Sequence, residues 1–156
     1  MYYMLMYTAQ AYKTKKEIGR VGESFIKNFL ISRGYTVYKT NITRWGSEID
    51  LVVYKLDHVS NRLEIRLVEV KTRSSGFEKT EDLADLSYFK VEHKVRKYKA
   101  LCVDLGESIV RELASDSVKI HIRSHIDLAI VRYQLSNKGV VEPYLKKYIQ
   151  NVNLLI

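Results

Sequence analysis

Acidic residues interrupt two runs that are otherwise apolar. Asp50 stands between Ile49 and Leu51, with Val52 and Val53 beyond, and Glu69 stands between Val68 and Val70, with Lys71 after it. A strand sends alternate side chains to opposite faces. Glu48 and Asp50 would therefore share one face of a strand, and Glu69 and Lys71 one face of another. If the two strands pair, their acids can converge with Glu23, which lies beside Gly19 and Gly22, where a helix can approach a sheet closely. Two carboxylates about 5 Å apart repel by roughly 3 kcal/mol at an effective dielectric of 20, so three close acids exceed what one lysine offsets. A divalent cation removes the difficulty. Hard oxygen ligands on rigid strands suit Mg²⁺, with Mn²⁺ able to substitute, and such an ion activates water and neutralises charge building on a phosphate oxygen. Lys71 could then orient or deprotonate the attacking water, or stabilise pentacovalent phosphorus. The same residues admit a second reading, in which Asp50 and Glu69 are edge-strand solvent positions paired with Lys71 and Arg73. Spacing alone does not choose between the two.

The basic residues make a separate argument. Lys plus Arg number 26 against 18 Asp plus Glu, giving net charge +8 and a pI near 9.5. That balance favours polyanionic partners such as nucleic acid or an acidic membrane surface; the alternative is a solvated lysine-rich exterior. Lys90, Lys94, Arg96, Lys97 and Lys99 crowd the start of the second helix, and Arg20, Arg44 and Arg73 fall near the acids. Phosphate contacts need such distributed charge, although a solvated helix face would look the same. Trp45, in the loop before the acidic strand, could stack on an unpaired base or wedge a junction, or simply pack down. Other chemistries lack support. Cys102 is the only cysteine, so intrachain disulfides and cysteine-based zinc sites are excluded; it reads as a core residue in a reducing cytosol. His121 and His125 straddle an expected strand boundary, His58 and His93 have no partner, and neither a phosphate-binding glycine loop nor a nucleophile elbow occurs.

The elements that must position these groups follow from periodicity. The 156 residues, 46% hydrophobic with a single proline, describe one domain over 1–156, with residues 1–13 as an N-terminal arm. The apolar start, residues 1–7, is too short to span a bilayer and lacks a signal peptide's basic region, so the expectation is a cytoplasmic protein with no membrane partner. Thr14 and Glu17 form a capping box. A helix over 15–33 would turn Ile18, Val21, Phe25 and Phe29 to the core and stop at Gly34. Strands are expected at 35–39, 48–54 and 62–72, the last two antiparallel across a hairpin loop at 57–61. A second helix begins between 86 and 91, with Val91, Val95, Tyr98, Cys102 and Leu105 as its stripe and Gly106 as its stop. Strands over 118–122 and 126–133 follow, then a turn at 136–139 and a short C-terminal helix opened by Pro143. The order α-β-β-β-α-β-β gives an α/β fold, a mixed β-sheet of about five strands flanked by helices.

These motifs resemble a known family. Gly19, Gly22 and Glu23 with Phe29, Leu30, Gly34 and Tyr35, then Asn41, Gly46 and the E-I-D-L of residues 48–51, then V-E-V-K-T-R at 68–73, look like the YraN-like family. That family belongs to the PD-(D/E)xK restriction-endonuclease-like superfamily and is similar to Holliday-junction resolvases. The I-D-L-A-I-V of residues 126–131 extends the match to about residue 133. Two features depart from the family pattern: Ser47 separates Gly46 from Glu48, and the hairpin at 55–67 is longer than usual. In the second helix, Lys94 with Tyr98 and Cys102 fits the family spacing, and Lys90 fits another register. The resemblance implies that Asp50 and Glu69 are metal ligands together with the Val70 backbone carbonyl, Lys71 the catalytic lysine, and Glu23 an accessory acid. It implies a Mg²⁺-dependent endodeoxyribonuclease acting on branched or otherwise structured DNA. Because such enzymes cut two strands, a homodimer is expected. The alternatives are a nucleic-acid-binding module that kept the fold without catalysis, and an interaction protein using its apolar arm.

Overall fold

The computed structural model describes residues 14–44, 46–74, 92–113, 118–135 and 141–152. Helix α1 (Lys15–Ser32) begins as the capping box requires: the Glu17 amide donates to Thr14 Oγ1 at 3.2 Å, and the Thr14 amide donates back to Glu17 Oε2 at 2.7 Å. It ends in a Schellman motif. Gly34, at φ 85°, sends its N–H to the Ile31 carbonyl, and Tyr35 sends its N–H to that of Leu30. Strands β1 (Thr36–Arg44), β2 (Ser47–Asp57) and β3 (Arg62–Ser74) form an antiparallel meander. Helix α2 (Glu92–Leu113) then crosses over, and β4 (His121–Leu135) runs parallel to β3 before β5 (Val141–Ile149) closes the far edge. The sheet order is β1-β2-β3-β4-β5.

Each face of this sheet carries one helix, which accounts for the two cores. Ile49, Val52, Leu63, Ile65, Leu67, Ile126, Leu128 and Ile130 pack with Tyr98, Leu101, Cys102, Leu105 and Ile109 of α2. Leu51, Val53, Val68, Val70, Ala129 and Val131 pack with Ile26 and Leu30 of α1. The central strands are therefore covered on both faces and read as nearly continuous apolar runs.

The element order matches the sequence reading, but several boundaries are corrected. The two short strands expected at 118–122 and 126–133 are one strand, because Arg123, Ser124 and His125 stay in register with Glu64, Ile65 and Arg66 of β3. His121 and His125 therefore lie on the same strand. The C-terminal helix expected from Pro143 is the edge strand β5. Proline costs nothing there, since an edge strand leaves alternate amides without a ladder partner, and Pro143 and Leu145 alternate with the exposed Glu142, Tyr144 and Lys146. Gly106 does not end α2, which runs on to Leu113. A Cβ there would lie 3.2 Å from Ile122 and 3.3 Å from Ile65, so the glycine lets the helix settle on β3 and β4. Residues 1–13 and 86–91 lie outside the described residues.

The core-facing line of α1 is also shifted by one residue. Gly22, Ile26 and Leu30 are buried, while Val21, Phe25 and Phe29 are half-buried along its flank. Gly22 sets this rotation: a Cβ built on it would overlap the Thr72 hydroxyl and sit 3.0 Å from Thr72 Cβ. Gly19, one turn earlier, has open space beside it. In urea titrations Gly22→Ala is expected to destabilise the protein by roughly 1 to 3 kcal/mol despite alanine's better helix propensity. Gly19→Ala should instead stabilise it by up to about 1 kcal/mol. Equal effects at the two positions would show that α1 does not rest on β3 through Gly22.

Candidate active site

The acids converge where β2 separates from β3. The β2–β3 ladder ends at Leu51 with Val68, and the β1–β2 ladder passes from Thr40 with Leu51 to Ile42 with Ile49. Asp50 thus sits at a fork, on the stretch of β2 that runs along β1 but is no longer paired with β3. Its Oδ2 accepts the Val70 N–H at 2.7 Å, taking the place of a strand carbonyl. Across the fork, Glu69 and Lys71 share the α2 face of β3, and Lys71 Nζ donates to Glu69 Oε1 at 2.8 Å. Glu69 is only 7% exposed.

The third acid approaches from α1. Burial pushes the Glu23 carboxyl above its ordinary value, Glu48 and Glu69 reinforce the shift, and a hydrogen bond from Asn41 and the charge of Arg20 oppose it. Asn41 lies in β1 with φ 50°, a left-handed conformation that asparagine tolerates better than most residues. Asp50 is affected most: burial first, then Glu69, raise its pKa to about 7, with Glu23 adding and the Val70 amide and Lys71 subtracting. Glu23, Asp50, Glu69 and Lys71 therefore share one electrostatic neighbourhood.

In the sequence Tyr98 reads as part of an apolar stripe and of the family spacing with Lys94 and Cys102, with no role at the site. It is 1% exposed, yet its hydroxyl lies 2.9 Å from the Glu48 carbonyl and 3.2 Å from Glu69 Oε2. It ties α2 to both strands of the fork and fixes the Glu69 carboxylate that Lys71 holds from the other oxygen. A tyrosine within a stripe of aliphatic residues was the available signal, since a buried phenol needs a partner.

The basic residues are distributed around this fork. Arg20 is exposed on α1 beside Glu23, and the Arg73 guanidinium donates to the Thr72 carbonyl at 3.1 Å. Arg96 and Lys99 are exposed and Lys97 half-buried, flanking Tyr98 on α2. Arg44 reaches α2, pairing with Asp104 at 3.7 Å. Lys94 belongs to α2 by its backbone; its side chain, Lys90 and Trp45 lie outside the described residues. Burial pushes the Cys102 thiol up to about 12, which agrees with its place in the core.

Among the described residues, no three Asp, Glu, His or Cys side chains come together as a closed metal cage. The donor set at the fork is an open one: two buried or half-buried carboxylates, Asp50 and Glu69, next to the backbone of Val70. That set fits a hard cation such as Mg²⁺, which keeps several waters and takes only one or two carboxylates. Burial first, and the charge of Glu69 second, disfavour the Asp50 carboxylate in the absence of a cation.

A meander of three strands, a crossover helix and a parallel fourth strand, with acids at the fork of the second and third strands, define a restriction-endonuclease-like fold. The model of a family described as uncharacterised protein family UPF0102 matches residues 22–120, and the chain belongs to that family, the YraN-like one its motifs resemble. A UPF0102 protein of Dictyoglomus turgidum is 33% identical over 61% of this chain and 84% of its own length. UPF0102 proteins of Parabacteroides distasonis and Caldicellulosiruptor bescii are 38% and 42% identical over 40% and 38% of this chain, or 47% and 45% of theirs. The chain thus aligns with less than half the length of these latter two. No helix among the described residues is long and apolar enough to cross a membrane.

Proposed function

We propose that this protein is a Mg²⁺-dependent endodeoxyribonuclease, with Mn²⁺ able to substitute, that hydrolyses phosphodiester bonds in branched or structured DNA. The observation that carries the reading is the fork itself: Asp50 accepts the Val70 amide across it and is coupled by charge to Glu69, which Lys71 holds. A surface ion pair needs no such burial, and carboxylates forced together gain a purpose when they hold a cation. Asp50 and Glu69, with the Val70 carbonyl, would hold the ion, which supplies charge neutralisation at the phosphate and a lowered pKa for water.

The chain's own residues supply the rest. Lys71 Nζ, steadied by Glu69, is placed to orient a water or to donate to a phosphate oxygen. Tyr98 positions Glu69. Glu23 is placed to accept a proton, its raised pKa bringing it nearer neutrality. Arg20, Arg73, Arg96 and Lys97, with Lys90 and Lys94 earlier in the sequence, would track the phosphate backbone, and Trp45 would meet an unpaired base. A homodimer would let two such sites act on two strands.

Labelled duplex, flap, fork and four-way-junction DNA, incubated with Mg²⁺ or Mn²⁺, tests the proposal. Cleavage of at least one structured substrate is expected, and it should be lost in Lys71→Ala. DNA affinity should fall steeply with salt, and Lys97→Ala should lower the slope of log affinity against log salt by about one. Salt-dependent binding with no cleavage of any substrate would replace the nuclease with a non-catalytic binding module. Absence of binding at low salt would remove DNA altogether.

A further inference from the structure

A second cavity, of about 600 Å³, opens on the α1 face of the sheet, at the end of the helix away from Glu23. Arg33 follows Glu23 by ten residues, roughly 15 Å along the helix axis. Its walls include Phe29, Arg33, Tyr35, Lys55, Arg66 and Tyr148. That size falls within the range of small-molecule sites.

The floor of this cavity is already satisfied. Arg66 Nε donates to the Tyr35 hydroxyl at 2.8 Å and its Nη1 to Asp127 Oδ2 at 2.8 Å, while Nη2 pairs with Glu64. The Tyr35 hydroxyl donates to Glu64 Oε1 at 2.7 Å and the Tyr148 hydroxyl to Asp127 Oδ2 at 2.8 Å. The two tyrosines and Phe29, whose ring centroid lies 5.9 Å from that of Tyr148, supply aromatic carbon to a lining that is polar over its larger part.

The rim differs. Arg33 lies over the Phe29 ring at 5.0 Å, and Lys55 lies over the Tyr35 ring at 4.7 Å while donating to the Arg33 carbonyl at 2.9 Å. Neither cation forms an ion pair among the described residues, although Lys55 stands opposite Glu64 in the β2–β3 ladder, and that carboxylate is taken up by Arg66 and Tyr35. Both are exposed and rest on aromatic faces, and Lys55 is also held by the Arg33 carbonyl, which reduces the side-chain freedom to be lost on meeting an anion. Aromatic ring faces beside two rim cations, in a lining rich in polar groups, suit a polar ligand with a planar ring at one end and an anionic group at the other.

We propose that this cavity binds a nucleoside 5′-phosphate, with its phosphate at Arg33 and Lys55 and its base against Phe29 and Tyr148. The same unit can come from a free mononucleotide or from the phosphorylated end of a single strand. The inference is independent of the nuclease reading, since it requires neither metal nor Asp50.

Titrations of the full chain in EDTA, followed by calorimetry and by NMR of the aromatic ring resonances, provide the test. Adenosine 5′-monophosphate should shift the Phe29 and Tyr148 signals and bind at least roughly tenfold more tightly than adenosine or inorganic phosphate. The double substitution Arg33→Gln with Lys55→Gln should weaken binding by a similar factor, while Lys146→Gln, on β5, should leave it unchanged. A short 5′-phosphorylated single strand binding more tightly than both the mononucleotide and its 5′-hydroxyl counterpart would identify a strand end as the source. The mononucleotide matching or exceeding the strand would identify the free nucleotide. The proposal is overturned if millimolar nucleotide leaves the rings unmoved, if the double variant binds as well as the parent, or if inorganic phosphate binds as tightly as the nucleotide. A negative cleavage assay leaves it standing, and its own failure leaves the cleavage proposal intact.

Discussion

Asp50→Asn should raise the melting temperature of the metal-free protein at pH 8.5 while ending both metal-dependent stabilisation and DNA cleavage. The folded-state pKa of Asp50 lies at about 7 against an ordinary 3.8, mainly because the group is buried and then because Glu69 is near. Between those two values the folded chain binds more protons than the unfolded one, so stability falls as pH rises through that window. The full gap of about 3 units corresponds to roughly 4 kcal/mol. Screening by solvent and salt reduces this to about 1 to 3 kcal/mol. Asparagine does not titrate, and its carbonyl oxygen still accepts the Val70 N–H, so the substitution removes the charge and keeps the bond. At about 2 to 4 °C per kcal/mol the gain is several degrees. Calorimetry at pH 5.5 and 8.5 measures it: the parent should lose stability between the two, and the variant should lose clearly less. Mg²⁺ or Mn²⁺ should raise the melting point of the parent alone, because an ion that binds only the native state stabilises it by mass action. Lys71→Ala should act in the opposite direction without metal, since it removes a cation from among the acids. A neutral or destabilising Asp50→Asn, with manganese shifting neither protein, would return Asp50 and Glu69 to ordinary ion-pair roles.

The convergence behind that expectation was legible because it depends on period and polarity. Asp50, Glu69 and Lys71 each break an apolar run, and strand alternation places Glu69 and Lys71 on one face. The fork was not legible. Alternation puts Ile49 with Leu51, yet Ile49 packs with Val52 on the α2 side, at the point where β2 is no longer paired with β3. The exit of a strand from its ladder is a tertiary event, set here by the Asp50 bond to the Val70 amide. The C-terminal helix failed for a related reason: Pro143 suits a first helical turn and an edge strand equally well, and only the vacant edge of β4 decides between them. In α1 the larger side chains Val21, Phe25 and Phe29 suggested the core face. The smallest residue, Gly22, set the rotation through its contact with Thr72.

Asp127 carried the same signal as Asp50 and Glu69, an acid between Ile126 and Leu128, and its role was not separated from the motif around it. Substituting it should produce the largest loss of stability in the α1-side core. Asp127 is fully buried and accepts from Arg66 and the Tyr148 hydroxyl through Oδ2 and from the Asn151 amide through Oδ1. Burial disfavours the Arg66 cation, but the hydrogen bond and charge of Asp127, with Tyr35 and Glu64, outweigh it and hold the guanidinium above its ordinary value. The Tyr148 hydroxyl is likewise pushed up, by burial first and by Asp127 next. Removing the carboxylate leaves a buried cation with Glu64 as its remaining acid and leaves two donors without an acceptor. Breaking one side of such a buried pair costs about 3 to 5 kcal/mol, a large share of the roughly 5 to 15 kcal/mol that holds a domain of this kind together. Asp127→Ala should therefore lower the melting temperature by roughly 6 to 20 °C. Asp127→Asn, which keeps an acceptor and loses the charge, should fall between it and the parent. The double substitution Asp127→Leu with Arg66→Met should recover much of the loss, because apolar residues of similar volume do not leave a charge stranded. A loss below about 1 kcal/mol in Asp127→Ala, or no recovery in the double variant, would mean that the network does not anchor β4 and β5 to β3, and the floor of the second cavity would not be rigid.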